Sequence, residues 1–272
     1  MTDPDLTNGD LTNRDLTNRD LTDRGDSREP VLVLDRLFQH VGIHCVLNDI
    51  SLRVAGGDGL LLIGPNGAGK TLLMRLLVGL DLPSAGRVCL FGQDLAGLDD
   101  RAMGALRRRV GVVLQRGSLL DGMTVLENLL LPLRGRRMSH TEMARAARLT
   151  MTQLQLDGME NHLPRSLSLG QRRRVELGRA LIHRPDLLVW DGITDGLDLP
   201  AVRDIFAVLR VQQQARGLTL IATDNSALEA IGDRDRVAVL DRGQLQFDGT
   251  REALQAALTE RLELRYVIEG RA

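Results

Sequence analysis

"LLLIGPNGAGKTLLMRLL", Leu60 to Leu77, decides how this sequence folds. Leu60 to Ile63 form a short continuous apolar run, the pattern of a strand buried on both faces in a parallel sheet. After Lys70 the apolar residues take helical spacing. Between the two stands G-x-x-x-x-G-K-T, with Gly64, Gly69, Lys70 and Thr71 at its fixed positions. A strand before it and a helix after it are the context that makes this pattern a phosphate-binding loop. Along Gly64, Pro65, Asn66, Gly67, Ala68 and Gly69 the backbone can wrap phosphate oxygens with its amides, and the helix start adds positive potential. Lys70 is expected to reach the β- and γ-phosphates of a nucleotide, and the Thr71 hydroxyl to ligate Mg²⁺.

On both sides of this loop, strand and helix alternate. VLVLDRLF from Val31 and VLNDISLRV from Val46 read as strands, followed by a turn at Gly56-Gly57. RVCLFG and VGVVL read as two more strands, and residues 124 to 182 are mostly helical. The chain then runs DLLVWD strand, PAVRDIFAVLRVQQQA helix, LTLIAT strand, SALEAI helix, RVAVLD and QLQFDG strands, REALQAAL helix. Alternation flanking a helical insert implies an α/β core with a helical subdomain.

The 272 residues, 43% hydrophobic and 26% charged, suffice for one substantial core. A net charge of −1 argues against a nucleic-acid partner. Cys45 and Cys89 lack CxxC spacing and read as reduced thiols of a cytosolic protein. No apolar run approaches the roughly 18 residues that span a bilayer, so a membrane role is expected to come through a partner. Residues 5 to 24 repeat with period five, DLTNG, DLTNR, DLTNR, DLTDR. Four pentads cannot stack into a stable coil, so residues 1–30 are expected to form a disordered low-complexity tail.

Four further motifs, with the loop at 64–71, make the chain resemble the ATP-binding subunits of ABC (ATP-binding cassette) transporters over Val31 to Leu258. Gln115 in "VGVVLQRGSLL" matches the family's Q-loop, and "LSLGQ", Leu167 to Gln171, its signature motif. Asp191, at the end of "LLVWD", matches the strand carboxylate that holds Mg²⁺ through water, and "DGLD", Asp195 to Asp198, the D-loop. The resemblance implies a P-loop NTPase (RecA-like) core, an N-terminal antiparallel β subdomain and a helical subdomain at about 116–180. Residues 259–272 are then a C-terminal extension. It also implies ATP and Mg²⁺ as ligands, with Thr71, Gln115 and Asp191 around the metal and Gln115 touching the metal or the attacking water. Ser168, Gly170 and Gln171 would close over the γ-phosphate held by a second subunit, in a homodimer or a heterodimer. The permease would be a separate transmembrane chain, leaving this one cytoplasmic and peripheral on the inner face of the membrane. "LQRGSLLDGMTVLENLLLPLR" and "GIHCVLNDISL" further resemble the phospholipid-trafficking, Mla-type branch, which implies lipid transport.

Three positions depart from the family pattern near the γ-phosphate. Gly192 stands where a glutamate polarises the attacking water, Asp224 where a histidine binds the γ-phosphate, and Leu169 replaces the first signature glycine. The aromatic that stacks on adenine is missing too, with His40 or Val41 near its place. A positioned general base is worth roughly 10²- to 10⁴-fold in rate. Phosphate affinity rests instead on loop amides, Lys70 and the metal ligands, all of which are present. The expectation is retained ATP binding with impaired hydrolysis. The competing expectations are an active ATPase with Asp224 as substitute base, and an ATP-binding scaffold outside transport.

Overall fold

The computed structural model describes residues 28–115, 119–224 and 235–269. The pentads of residues 5–24 and the helix expected at 226–231 lie outside them. Two sheets organise the rest. β1 (Pro30–Val41) and β2 (His44–Ala55) pair antiparallel through a hairpin at Gly42. Leu32, Leu34 and Leu37 of β1 are buried on one face. An odd step of three separates Leu34 from Leu37, and a bulge there restores the facing. After β3 (Gly59–Ile63) and α1 (Lys70–Leu77), β4 (Ala85–Leu90) returns to pair antiparallel with β1, and β5 (Gln93–Asp94) completes the sheet in the order β2-β1-β4-β5. RVCLFG is therefore a strand as its sequence suggests, in the N-terminal antiparallel sheet.

α2 (Asp100–Arg107), capped by the Asp99 carboxylate on the Ala102 amide at 2.7 Å, leads into β6 (Val110–Val113). Three helices follow: α3 (Val125–Leu130), α4 (His140–Gln153) and α5 (Leu169–Leu181). Each opens with a capping box, Thr124 with Glu127, Ser139 with Glu142 and Ser168 with Gln171, so each start is written locally. They pack tightly around Gly178, where a Cβ would fall 2.7 Å from a Leu129 methyl and 2.9 Å from one of Leu154.

β7 (Leu187–Asp191), α6 (Leu199–Arg216), β8 (Thr219–Thr223), β9 (Arg236–Asp241), β10 (Gln244–Thr250), α7 (Arg251–Glu260) and α8 (Leu262–Glu269) complete the chain. The second sheet has the order β10-β9-β3-β8-β7-β6, parallel throughout except for the antiparallel edge strand β10. Successive side chains of a strand point to opposite faces, and β3 uses both. Leu60 and Leu62 join α1 and the N-terminal sheet in one apolar cluster, while Leu61 and Ile63 join Trp190, α5 and α6 in the other. Arg236 reaches the buried Asp248 across β9 and β10 and donates to the Arg53 carbonyl at 2.6 Å, which fastens the edge of this sheet to β2. Among the described residues no helix is long and apolar enough to cross a membrane.

Candidate functional site

The carboxyl ends of β3, β8 and β7 stand side by side, and in a parallel sheet ligands bind beyond those ends. β3 delivers the loop at 64–71. Its first residue, Gly64, has φ +151°, and a Cβ there would fall 1.9 Å from the Leu240 carbonyl oxygen, so only glycine lets the loop leave the sheet beside β9. α1 begins at Lys70, whose ammonium folds back to donate to the Gly64 carbonyl at 2.5 Å and the Pro65 carbonyl at 3.1 Å. Burial pushes the Lys70 ammonium below its ordinary value, and the Asp191, Asp224 and Asp195 carboxylates pull it back up.

β7 ends at Asp191, which is buried. The Thr223 hydroxyl donates to its Oδ1 at 2.6 Å and accepts from the Gly192 amide at 2.8 Å. Its other oxygen, Oδ2, is buried with no hydrogen-bond partner among the described residues. A buried, partnerless carboxylate oxygen is costly unless something binds it. Thr71 and Gln115 line the same cavity, so the donors present are oxygens of the kind Mg²⁺ takes. The residues fit the metal.

This cavity, of about 700 Å³, brings together Asn66, Gly67, Ala68, Gly69, Lys70, Thr71, Gln115, Asp191, Gly192 and Asp224, all singled out in the sequence. Asp195, the first residue of the D-loop match, also lines it, as do Val46, Leu72, Thr194 and Thr223, which sequence reasoning missed. Ser168, Gly170 and Gln171 do not; Ser168 lies exposed at the start of α5. His40 and Val41, the sequence candidates for adenine, are exposed beside the β1–β2 turn and outside the cavity, and the N-terminal sheet contributes Val46 instead. A second hollow, of about 970 Å³, lies between β10 and α8; Asp241 at the end of β9 opens into it, but among the described residues no glycine-rich loop does.

The two substituted positions have definite surroundings. Asp224 accepts from the Thr194 amide at 2.7 Å and from the Thr194 hydroxyl, so one of its oxygens clamps the loop after β7. Gly192 has φ +73°, in the left-handed region, and a Cβ there would fall 2.3 Å from Oδ2 of Asp195. The Asp195 amide closes a turn onto the Gly192 carbonyl at 3.3 Å, which folds its carboxylate back over residue 192. The Gln115 side-chain amide donates to that carboxylate at 3.1 Å.

Comparison with known proteins agrees with this geometry. Residues 47–195 match the family model described as ABC transporter. The spermidine/putrescine import ATP-binding protein of Methylococcus capsulatus is 34% identical over 220 residues, 81% of this chain and 56% of that one. The methionine import ATP-binding protein of Rhizobium johnstonii is 36% identical over 223 residues, 82% of this chain and 62% of that one. The chain thus spans about three fifths of the length of the curated relatives it matches. Among solved structures, the ATP-binding cassette MJ0796 in a dimeric post-hydrolysis state bound to ADP and Pi is 28% identical. It superposes with a TM-score of 0.74, covering 81% of this chain and 98% of that one. The chain belongs to the ABC transporter family, and its folded part is that family's ATP-binding domain.

Proposed function

We propose that this chain is the nucleotide-binding subunit of an ABC transporter, taking Mg-ATP in the 700 Å³ cavity and driving or gating a separate membrane permease. The observation that carries the reading is the partnerless, buried Oδ2 of Asp191 in one cavity with Lys70 and Thr71. Amides of the 64–71 loop hold the phosphates, and Lys70 exchanges its two carbonyl partners for β- and γ-phosphate oxygens. Thr71, Gln115 and Asp191 would hold Mg²⁺, which would supply positive charge that offsets the charge of the phosphates. Thr223 fixes the Asp191 carboxylate through Oδ1, which leaves the buried Oδ2 as the oxygen without a partner among the described residues.

Ser168, Gly170 and Gln171 have no part in this chain's own cavity, which supports a role across a head-to-tail pair, over the nucleotide of a second copy or of a related subunit. The dimeric cassette named above supports such a pair. Through its permease the subunit would sit on the inner face of the membrane. The import names of the relatives support an importer, and the likeness of residues 114–134 to the phospholipid-trafficking branch supports a lipid as cargo.

Hydrolysis is slow on this reading. Residue 192 contributes no side chain, and a positioned base is worth roughly 10²- to 10⁴-fold in rate. Asp224 puts negative charge where a donor to the developing phosphoryl charge is needed. Its bond to Thr194 supports a clamp rather than a base. Purification of tagged protein from detergent-solubilised membranes tests the assignment. A co-purifying polytopic membrane protein is the expected result, and recovery without any membrane protein from membranes that still transport would contradict it.

A further inference from the structure

The left-handed turn at Gly192 does more than remove a side chain, because another carboxylate fills the space. Oδ2 of Asp195 lies 2.3 Å from the point where a Cβ of residue 192 would stand. The same carboxylate lines the nucleotide cavity beside Thr71 and Asp191, and it accepts from Gln115 at 3.1 Å. Since a carboxylate only accepts, the Gln115 amide nitrogen must face Asp195, which turns its carbonyl oxygen away from Asp195. The Asp195 carboxylate stays an acceptor in the wall of the cavity. A water bound to it would be held by a hydrogen, with its lone pair left for attack.

We propose that Asp195 orients the attacking water in place of the side chain that Gly192 lacks, and that the turnover remaining in this chain depends on it. The proposal rests on the ATP-binding reading above. In the step it serves, the water oxygen bonds to the γ-phosphorus as the bond from phosphorus to the bridging oxygen breaks, and that electron pair stays on ADP. Both water hydrogens end on the released phosphate, so ATP and water give ADP and dihydrogen phosphate. Asp195 accepts a hydrogen bond throughout and holds the water in line. The shorter aspartate, approaching from a turn, is expected to support only a modest rate.

The test is single-turnover hydrolysis of Mg-ATP by the full chain, with Mg-ATP affinity measured alongside by calorimetry. Asp195→Asn keeps the size of the side chain and can still bond Gln115, but it removes a negative charge beside the phosphates. The expected result is a rate at least tenfold lower with affinity equal or a few-fold tighter, and Asp195→Glu keeping a measurable part of the wild-type rate. A purely structural Asp195 would not tighten binding. An unchanged rate in Asp195→Asn overturns the proposal, as does loss of ATP binding in that variant, or a wild type that binds Mg-ATP and never hydrolyses it. Failure of the wild type to bind Mg-ATP would instead overturn the underlying assignment of the cavity.

Discussion

Thr223 sets the state of Asp191 through one hydroxyl, donating at 2.6 Å and accepting from Gly192 at 2.8 Å. Thr223→Val keeps the shape and removes both bonds, so the Asp191 carboxylate is free to turn. Loss of such a supporting partner typically costs about 10- to 100-fold in metal affinity. Mg²⁺ titration of ATP binding should show a shift of that order, and an unchanged midpoint would mean that Asp191 is held by something else. Gly192 makes the opposite point. Placing a glutamate there looks like a repair in the sequence, yet the backbone has φ +73° and the Asp195 carboxylate occupies the space. Gly192→Glu should cost about 1–3 kcal/mol. At roughly 2–4 °C per kcal/mol for a chain of this size, melting should fall by several degrees. A melting temperature equal to wild type would show that the turn relaxes freely.

At the scale of elements, the helix starts and the central strands were legible because their signals are local. β3, β7 and β8 are five-residue strands buried on both faces, apolar except for Asp191, Thr219 and Thr223. The capping boxes of α3, α4 and α5 can be read directly as T-x-x-E, S-x-x-E and S-x-x-Q. The sheet to which β4 belongs was not legible, because pairing with β1 across some fifty residues leaves no mark in either segment alone. The site divides the same way. Its loop and strand-end carboxylate follow from pattern and context. Thr194 and Thr223 escaped, and Asp195 showed only as the start of the D-loop match, because their roles come from partners on other segments, some 30 residues away for Thr223 and Asp224 and 80 for Gln115. The caps also carry a pH signature. Bonds from the Ser139 backbone and side chain hold the Glu142 carboxyl below its ordinary value of 4.5. A depressed folded-state value means that the stabilisation is present above 4.5 and is lost as pH falls below it. Melting of Glu142→Gln against wild type should therefore show a gap at pH 7 that narrows in acid. A gap that stayed constant would assign the effect to something other than the carboxylate.

For the whole molecule, the two apolar clusters on either face of the central sheet hold three strand ends in register, and the loop proposed to bind phosphate and the Asp191 carboxylate hang from those ends. Ser168, exposed at the start of α5, does not line the chain's own cavity. That arrangement fits the proposal of a subunit working in pairs. Every role proposed for these residues requires the nucleotide to occupy the cavity at 64–71. Calorimetry of Mg-ATP binding to wild type and Lys70→Ala tests this most directly. The predicted result is saturable binding by wild type that weakens at least tenfold in Lys70→Ala, and equal affinity in the two proteins would contradict it.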